Sequence, residues 1–218
     1  MAQRPAPRIY VLAGVNGAGK SSIAGAAFRQ SGGQYFNPDE AARELKSRRA
    51  GLSQAAANGA AWQQGRRLLE RAIAERLDYA FESTLGASTL PALLTQAAGK
   101  GFEVRIWYAG LASPEQHLAR VRARVARGGH DIPEADIRRR YEHSRLNLIA
   151  LLPHLAALRV YDNSAEADPA AGKLPHPRLV LHLEGGRIMN PQALARTPAW
   201  ARPMVAAALK EQQAATLP

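Results

Sequence analysis

The sequence predicts an α/β fold built on a parallel sheet of about five strands flanked by helices. Three observations carry that expectation. Short runs rich in β-branched and aromatic residues alternate with longer helical stretches, a glycine-rich loop joins the first run to the first helical stretch, and the alternation continues as far as Asp162. Each crossover helix has to bury its apolar stripe, and a parallel sheet offers two faces for that burial.

The first strand is expected over residues 8–13. It runs into Gly14-Val15-Asn16-Gly17-Ala18-Gly19-Lys20-Ser21-Ser22, and an alanine-rich helical stretch follows to Gln30. Further extended candidates are 34–37, 79–83, 104–111 and 159–162; helical stretches over 38–49, 60–76, 90–99, 114–127 and 133–152 separate them. Gly99-Lys100-Gly101 reads as a helix stop before a strand. Past Asp162 the texture changes to Ala, Pro and Asp. Two short apolar runs, 179–183 and 187–189, then flank Glu184-Gly185-Gly186 as in a β-hairpin, and one short helix follows over 204–213. The division expected is a core over 1–164 and a C-terminal extension over 165–218, comprising loop, hairpin and short helix, packed on that core.

A chain of 218 residues suits one such domain with a generous core. It contains no cysteine, which excludes disulfides, thiolate zinc sites and cysteine nucleophiles. No apolar run near the start approaches a bilayer span and no signal pattern precedes it, so a soluble, cytoplasmic protein without a membrane partner is expected. The formal net charge is +11, with arginine far outnumbering lysine. Such an excess fits nucleic acid, substrates with several phosphates, or an arginine-rich composition of no functional meaning.

The segment from Gly14 to Ser21 is more specific than the charge. It matches G-x-x-x-x-G-K-S, and by this chain's own composition a chance match has a frequency of roughly two or three in a thousand. Glycines let backbone amides converge on phosphate oxygens, and the following helix adds the positive end of its dipole. Following a strand and opening a helix, the motif predicts a P-loop NTPase or kinase fold that binds ATP with Mg2+. Gly14, Asn16, Gly17, Ala18, Gly19, Lys20, Ser21 and Ser22 form the nucleotide site, Lys20 reaches the β- and γ-phosphates, and Ser21 places its hydroxyl on the metal.

Phosphoryl transfer also needs a carboxylate near the acceptor and cations on the moving group. Strand C-terminal ends are where to look. Asp39 follows Asn37-Pro38 at one such end, and Glu82 and Thr84 follow Phe81 at another. Asp39 could equally serve only the dipole of its helix, and Glu82 and Thr84 could simply cap the next element. Residues 120–145 carry Arg120, Arg122, Arg124 and Arg127, then Gly128-Gly129, then Arg138 to Arg140 and Arg145, a pattern suited to a mobile lid or to a solvated basic face. Arg127 and Arg140 are favoured for the phosphate.

Taken together, these residues resemble the zeta toxin family of P-loop kinases, in its compact branch. The resemblance spans 8–163 and rests on the phosphate loop, on Phe36-Asn37-Pro38-Asp39, on Phe81-Glu82-Ser83-Thr84-Leu85, and on Arg127-Gly128-Gly129-His130-Asp131-Ile132-Pro133 with Ile137-Arg138-Arg139-Arg140-Tyr141. It implies ATP-dependent phosphorylation of the sugar 3′-hydroxyl of UDP-N-acetylglucosamine. Asp39 would be the base on the acceptor hydroxyl, Glu82 and Thr84 the substrate holders, and Arg127 with Arg140 the cations on the γ-phosphate. A small helical antitoxin is the protein partner the resemblance implies. Two other functions stay open: a kinase for a nucleotide, dinucleotide or antibiotic, and a basic nucleic-acid-binding module. The latter lacks any recognisable motif and its aromatics are few, so nucleic acid is not the expected partner.

Overall fold

The computed structural model describes residues 5–20, 23, 35–165, 176–190 and 194–214. Among these residues seven strands form one sheet: β1 (Arg8–Ala13), β2 (Tyr35–Phe36), β3 (Tyr79–Ser83), β4 (Glu103–Gly110), β5 (Ala157–Asp162), β6 (Arg178–Glu184) and β7 (Arg187–Ile188), in the order β2-β3-β1-β4-β5-β6-β7. The first five in that order run parallel. The last two are antiparallel, so the expected hairpin extends the sheet at the β5 edge. The helices are α1 (Pro38–Arg48), α2 (Gln54–Glu75), α3 (Thr89–Gly99), α4 (Pro114–Val125), α5 (Glu134–Leu151) and α6 (Arg202–Ala214). The stretch from Ser21 to Gln30 expected as the first helix lies outside the described residues, Ile23 apart.

The strand residues explain the architecture. In β1 the run Ile9, Val11, Leu12 and Ala13 is wholly buried, as expected for a central parallel strand covered on both faces. Ile9, Val11 and Ala13 share the main core with Ile106, Leu158, Leu94 and Leu148, and that core reaches Trp200 and, on α6, Met204, whereas Leu12 packs with Ala80 in a separate cluster. A smaller cluster of Val15, Leu118, Val121, Ile132 and Ile137 fixes α4 and α5 beside the phosphate loop. Parallel register brings Ala13 level with Ser83 and with Tyr108, so the chain leaves β1 and β3 at the same edge of the sheet. The residues expected at the site, Asp39, Glu82 and Thr84, lie at or just past strand ends on this side of the sheet.

Candidate active site

The phosphate loop begins at that edge. Gly14 N–H donates to Ser83 O at 3.1 Å, and Ala18 N–H closes a turn on Val15 O at 3.1 Å. Gly17 and Gly19 have φ of +83° and +80°, backbone that glycine adopts without a side-chain clash. Lys20 folds back over the loop, its Nζ donating to Gly14 O at 3.0 Å. A glycine loop with one ammonium and no carboxylate among its residues is a donor set that fits a polyphosphate. Ser21 and Ser22 lie outside the described residues. Among the described residues no cluster of His, Asp or Glu is arranged to hold a metal.

Beside the loop is a cleft of about 360 Å³ whose lining includes Asn16, Asp39, Glu82, Thr84 and Arg140. Each is set by local structure. Asn37 caps α1, accepting from the N–H of Asp39 at 2.9 Å and of Glu40 at 3.3 Å, with Pro38 in the first turn. That leaves the Asp39 carboxylate in the first turn at the cleft, with its side chain 43% exposed. Glu82, buried at the end of β3, accepts from Tyr35 Oη and from Asn37 Nδ2 at 3.2 Å. Thr84 is followed by Leu85, a buried residue held at φ +50°. Leu85 N–H donates to Ser83 Oγ at 2.9 Å and its carbonyl accepts from Asn147 Nδ2 at 2.6 Å, so two side chains pin the strained residue beside Thr84. Phe36, Phe81, Trp62 and Leu90 supply the apolar wall.

Arg140 joins the two halves of the site. Its Nη1 donates to Asn16 Oδ1 at 2.8 Å and its Nη2 lies 3.4 Å from Asp136 Oδ2. Burial lowers the guanidinium from its usual range, and Asp136 works in the opposite direction. Arg127 is not brought to the cleft: it is exposed, with Nε donating to Ala123 O at 3.1 Å. The cause is that α4 ends at Val125, so Arg127 belongs to the turn before Gly128 and Gly129 rather than to the helical repeat. Arg124, one turn earlier, is the α4 arginine that approaches Asp39. Its Nη1 is 3.8 Å from Asp39 Oδ2 and its Nη2 donates to His130 O at 3.1 Å. His130 Nε2 is 3.9 Å from the other oxygen of Asp39; burial lowers the pKa of the ring and Asp39 opposes that shift. Sequence reasoning did not single out Arg124, Asn147 or the aromatic wall. A register check on α4 could have found Arg124, whereas Asn147 acts across 62 residues and leaves no local signal.

Residues 9–144, more than half of the chain, match the AAA domain model AAA_33. The chain belongs to that AAA domain family. This AAA domain is 32% identical over 132 residues to an uncharacterized protein of Haemophilus influenzae, a match covering 59% of this chain and 88% of that protein. Among solved structures it is similar to the AvrRxo1-ORF1:AvrRxo1-ORF2 complex with sulphate ions, at TM-score 0.67 and 17% identity over 88% of this chain and 64% of that one. The same complex has been solved with ATP, and there the TM-score is 0.65, at 17% identity over 84% and 60% of the two chains. It is also similar to the PezAT chromosomal toxin-antitoxin system of Streptococcus pneumoniae, with TM-score 0.55 and 16% identity over 80% and 75%. The AAA domain chain thus spans less than two thirds of the AvrRxo1 chain it matches. At such identities the likeness establishes the fold, an α/β P-loop kinase-like fold with a mostly parallel sheet and C-terminal antiparallel strands.

Proposed function

We propose that this protein is an ATP-dependent phosphotransferase with an alcohol acceptor, the sugar 3′-hydroxyl of UDP-N-acetylglucosamine or a related UDP-sugar. One observation carries the reading: Asp39, Glu82 and Thr84 line the same cleft as Arg140, whose guanidinium is bonded to Asn16 of the phosphate loop. A carboxylate, two polar holders and a cation thus adjoin a polyphosphate cradle, which is the set of groups that phosphoryl transfer to a hydroxyl requires. The ATP complex solved for the AvrRxo1 neighbour supports the choice of nucleotide.

When bound, ATP with magnesium supplies the phosphoryl group. Lys20 and the amides of Gly17 and Gly19 would hold the phosphates, and Ser21, by its place in the motif, would offer its hydroxyl to the metal. Asp39 accepts the proton of the acceptor hydroxyl on a carboxylate oxygen. Glu82, fixed by Tyr35 and Asn37, and Thr84, fixed beside the pinned Leu85, orient the acceptor. Arg140 neutralises charge on the transferring group, while Arg127, the second cation the family resemblance implies, is turned back onto Ala123. The apolar wall excludes water. A small helical antitoxin is the protein partner this reading implies, in line with the toxin-antitoxin system among the similar structures. The setting proposed is the cytoplasm, and among the described residues no helix is long and apolar enough to cross a membrane.

The test is to incubate the purified protein with γ-labelled ATP and a panel of nucleotide sugars, nucleotides and dinucleotides, and to identify the labelled product. Labelled UDP-N-acetylglucosamine 3′-phosphate is expected. Label on a nucleotide or dinucleotide alone would replace the acceptor and keep the kinase; no transfer to any alcohol would remove the activity.

A further inference from the structure

In a planar trans peptide the amide N–H points opposite to the carbonyl of the residue before it, so whatever fixes a carbonyl also aims the next amide. Two carbonyls of the phosphate loop are each held by a buried side chain from a distant part of the chain. His117, on α4 and 1% exposed, has its Nδ1 2.8 Å from Asn16 O. Asn163, just past β5 and 5% exposed, donates Nδ2 to Ala18 O at 2.8 Å. The amides that follow those carbonyls belong to Gly17 and Gly19.

Both holders are themselves fixed. A carbonyl accepts only, so the His117 proton resides on Nδ1, and the ring lies edge-on to Tyr141 with centroids 5.7 Å apart. Burial, reinforced by Lys20 and Arg120, lowers the pKa of this histidine to about 4 and keeps it neutral next to a loop built for anions. Asn163 donates its own N–H to Gly110 O at 2.9 Å, and its carbonyl accepts from Arg120 Nη2 at 2.8 Å. A Cβ on Gly19 would lie 2.4 Å from Asn163 Nδ2, so the amide side chain and the glycine are fitted against each other.

We propose that His117 and Asn163 are positioning residues of the phosphate loop, which turn the Asn16 and Ala18 carbonyls inward and so aim the Gly17 and Gly19 amides at the phosphates of a bound nucleotide. The inference rests on the nucleotide-binding reading above. It assigns a loop-shaping task to a helix and a strand end that carry no part of the phosphate motif. Removing either donor leaves a buried carbonyl unpaired and frees the peptide to rotate, which corresponds to a loss of phosphate affinity on the order of ten- to a hundredfold.

The experiment is calorimetric titration of the full-length protein with ATP and with inorganic tripolyphosphate, alongside the melting temperature. His117→Leu and Asn163→Leu are expected to weaken both ligands by about the same factor, roughly ten- to a hundredfold, because the contacts concern phosphates and not the base. His117→Asn keeps an N–H near the position of Nδ1, so it should melt earlier for want of the ring contact yet retain most of the affinity. That split between affinity and melting temperature is something a purely structural histidine would not produce. Should His117→Leu fail to fold, Asn163→Leu and His117→Asn decide the matter. Wild-type affinity in folded Asn163→Leu, or loss in His117→Asn as great as in His117→Leu, overturns the positioning role while the nucleotide reading stands. If the wild-type protein itself binds neither ligand, the nucleotide reading fails and the positioning role falls with it.

Discussion

Asp39 sits between groups that act on its carboxylate in different ways: Arg124 and His130 at 3.8 and 3.9 Å as cation and as titrating neighbour, and the Asn37 cap as the device that holds its backbone. As an acceptor-side base, its replacement by Asn should preserve ATP affinity while lowering transfer by about a hundredfold or more, since an amide hydrogen-bonds but takes no proton. Stability should move by about 1 kcal/mol or less, because the ion pairs are half exposed. Single-turnover transfer near the wild-type rate in Asp39→Asn would remove it from the mechanism. The arginines separate in the same assay. Arg140→Ala, which takes away the bond to Asn16, should lower turnover on the order of ten- to a thousandfold with a smaller change in ATP affinity. Arg124→Ala should cost more turnover than Arg127→Ala, because Arg124 already reaches Asp39 whereas Arg127 is turned back onto Ala123. The reverse ranking would mean that the Gly128–Gly129 turn carries Arg127 inward during the reaction.

At the scale of elements, α2 shows what was legible and what was not. The sequence pattern predicts a helix from Ala60, but the observed helix starts at Gln54, because Ser53 accepts from Ala56 N–H at 3.2 Å and caps a turn that Asn58 and Gly59 disguise as loop. The phosphate loop and the ends of β2 and β3 were legible because strand, glycine motif and carboxylate are adjacent in sequence. Asn147, His117 and Asn163 were not, because each acts on backbone many residues away. The aromatic wall was hidden for a related reason: α2 approaches β2 so closely that a Cβ on Gly65 would lie 2.6 Å from Phe36 Cε1. Nothing within the helix foretells that approach. Gly65→Ala therefore gains helix propensity of about 1 kcal/mol and loses a comparable amount to the displaced ring. The melting temperature should barely move while KM for the acceptor rises several-fold, since Phe36 directly precedes the Asn37 cap of the Asp39 helix. An unchanged acceptor KM would mean the ring gives way without moving the cap.

At the scale of the whole molecule, the buried histidine gives the fold a pH dependence. His117 has a pKa of about 4 in the folded protein against an ordinary value of 6.5, with burial as the largest cause and the charges of Lys20 and Arg120 adding to it. Above pH 6.5 neither the folded nor the unfolded state protonates this ring, and its contribution to stability is fully present. As the pH falls from 6.5 towards 4 the unfolded chain takes up a proton that the folded one refuses, so stability falls with pH. The shift is worth about 3 kcal/mol once both values are passed. His130, whose pKa burial also lowers, adds to the same trend. Carboxylates contribute over part of this range as well, so the decisive comparison is between wild type and His117→Asn, which share every carboxylate and differ only in the ring. Urea unfolding of both at pH 7.5, 5.5 and 4.5 should give a free energy that drops more steeply with acid in the wild type. The variant is expected to be the less stable protein at pH 7.5, where it lacks the Tyr141 contact, and to close that gap as the pH is lowered. Parallel pH profiles would mean that the ring protonates in the folded state as readily as in the unfolded chain, and the tight packing of α4 on the phosphate loop that excludes its charge would then not hold in solution.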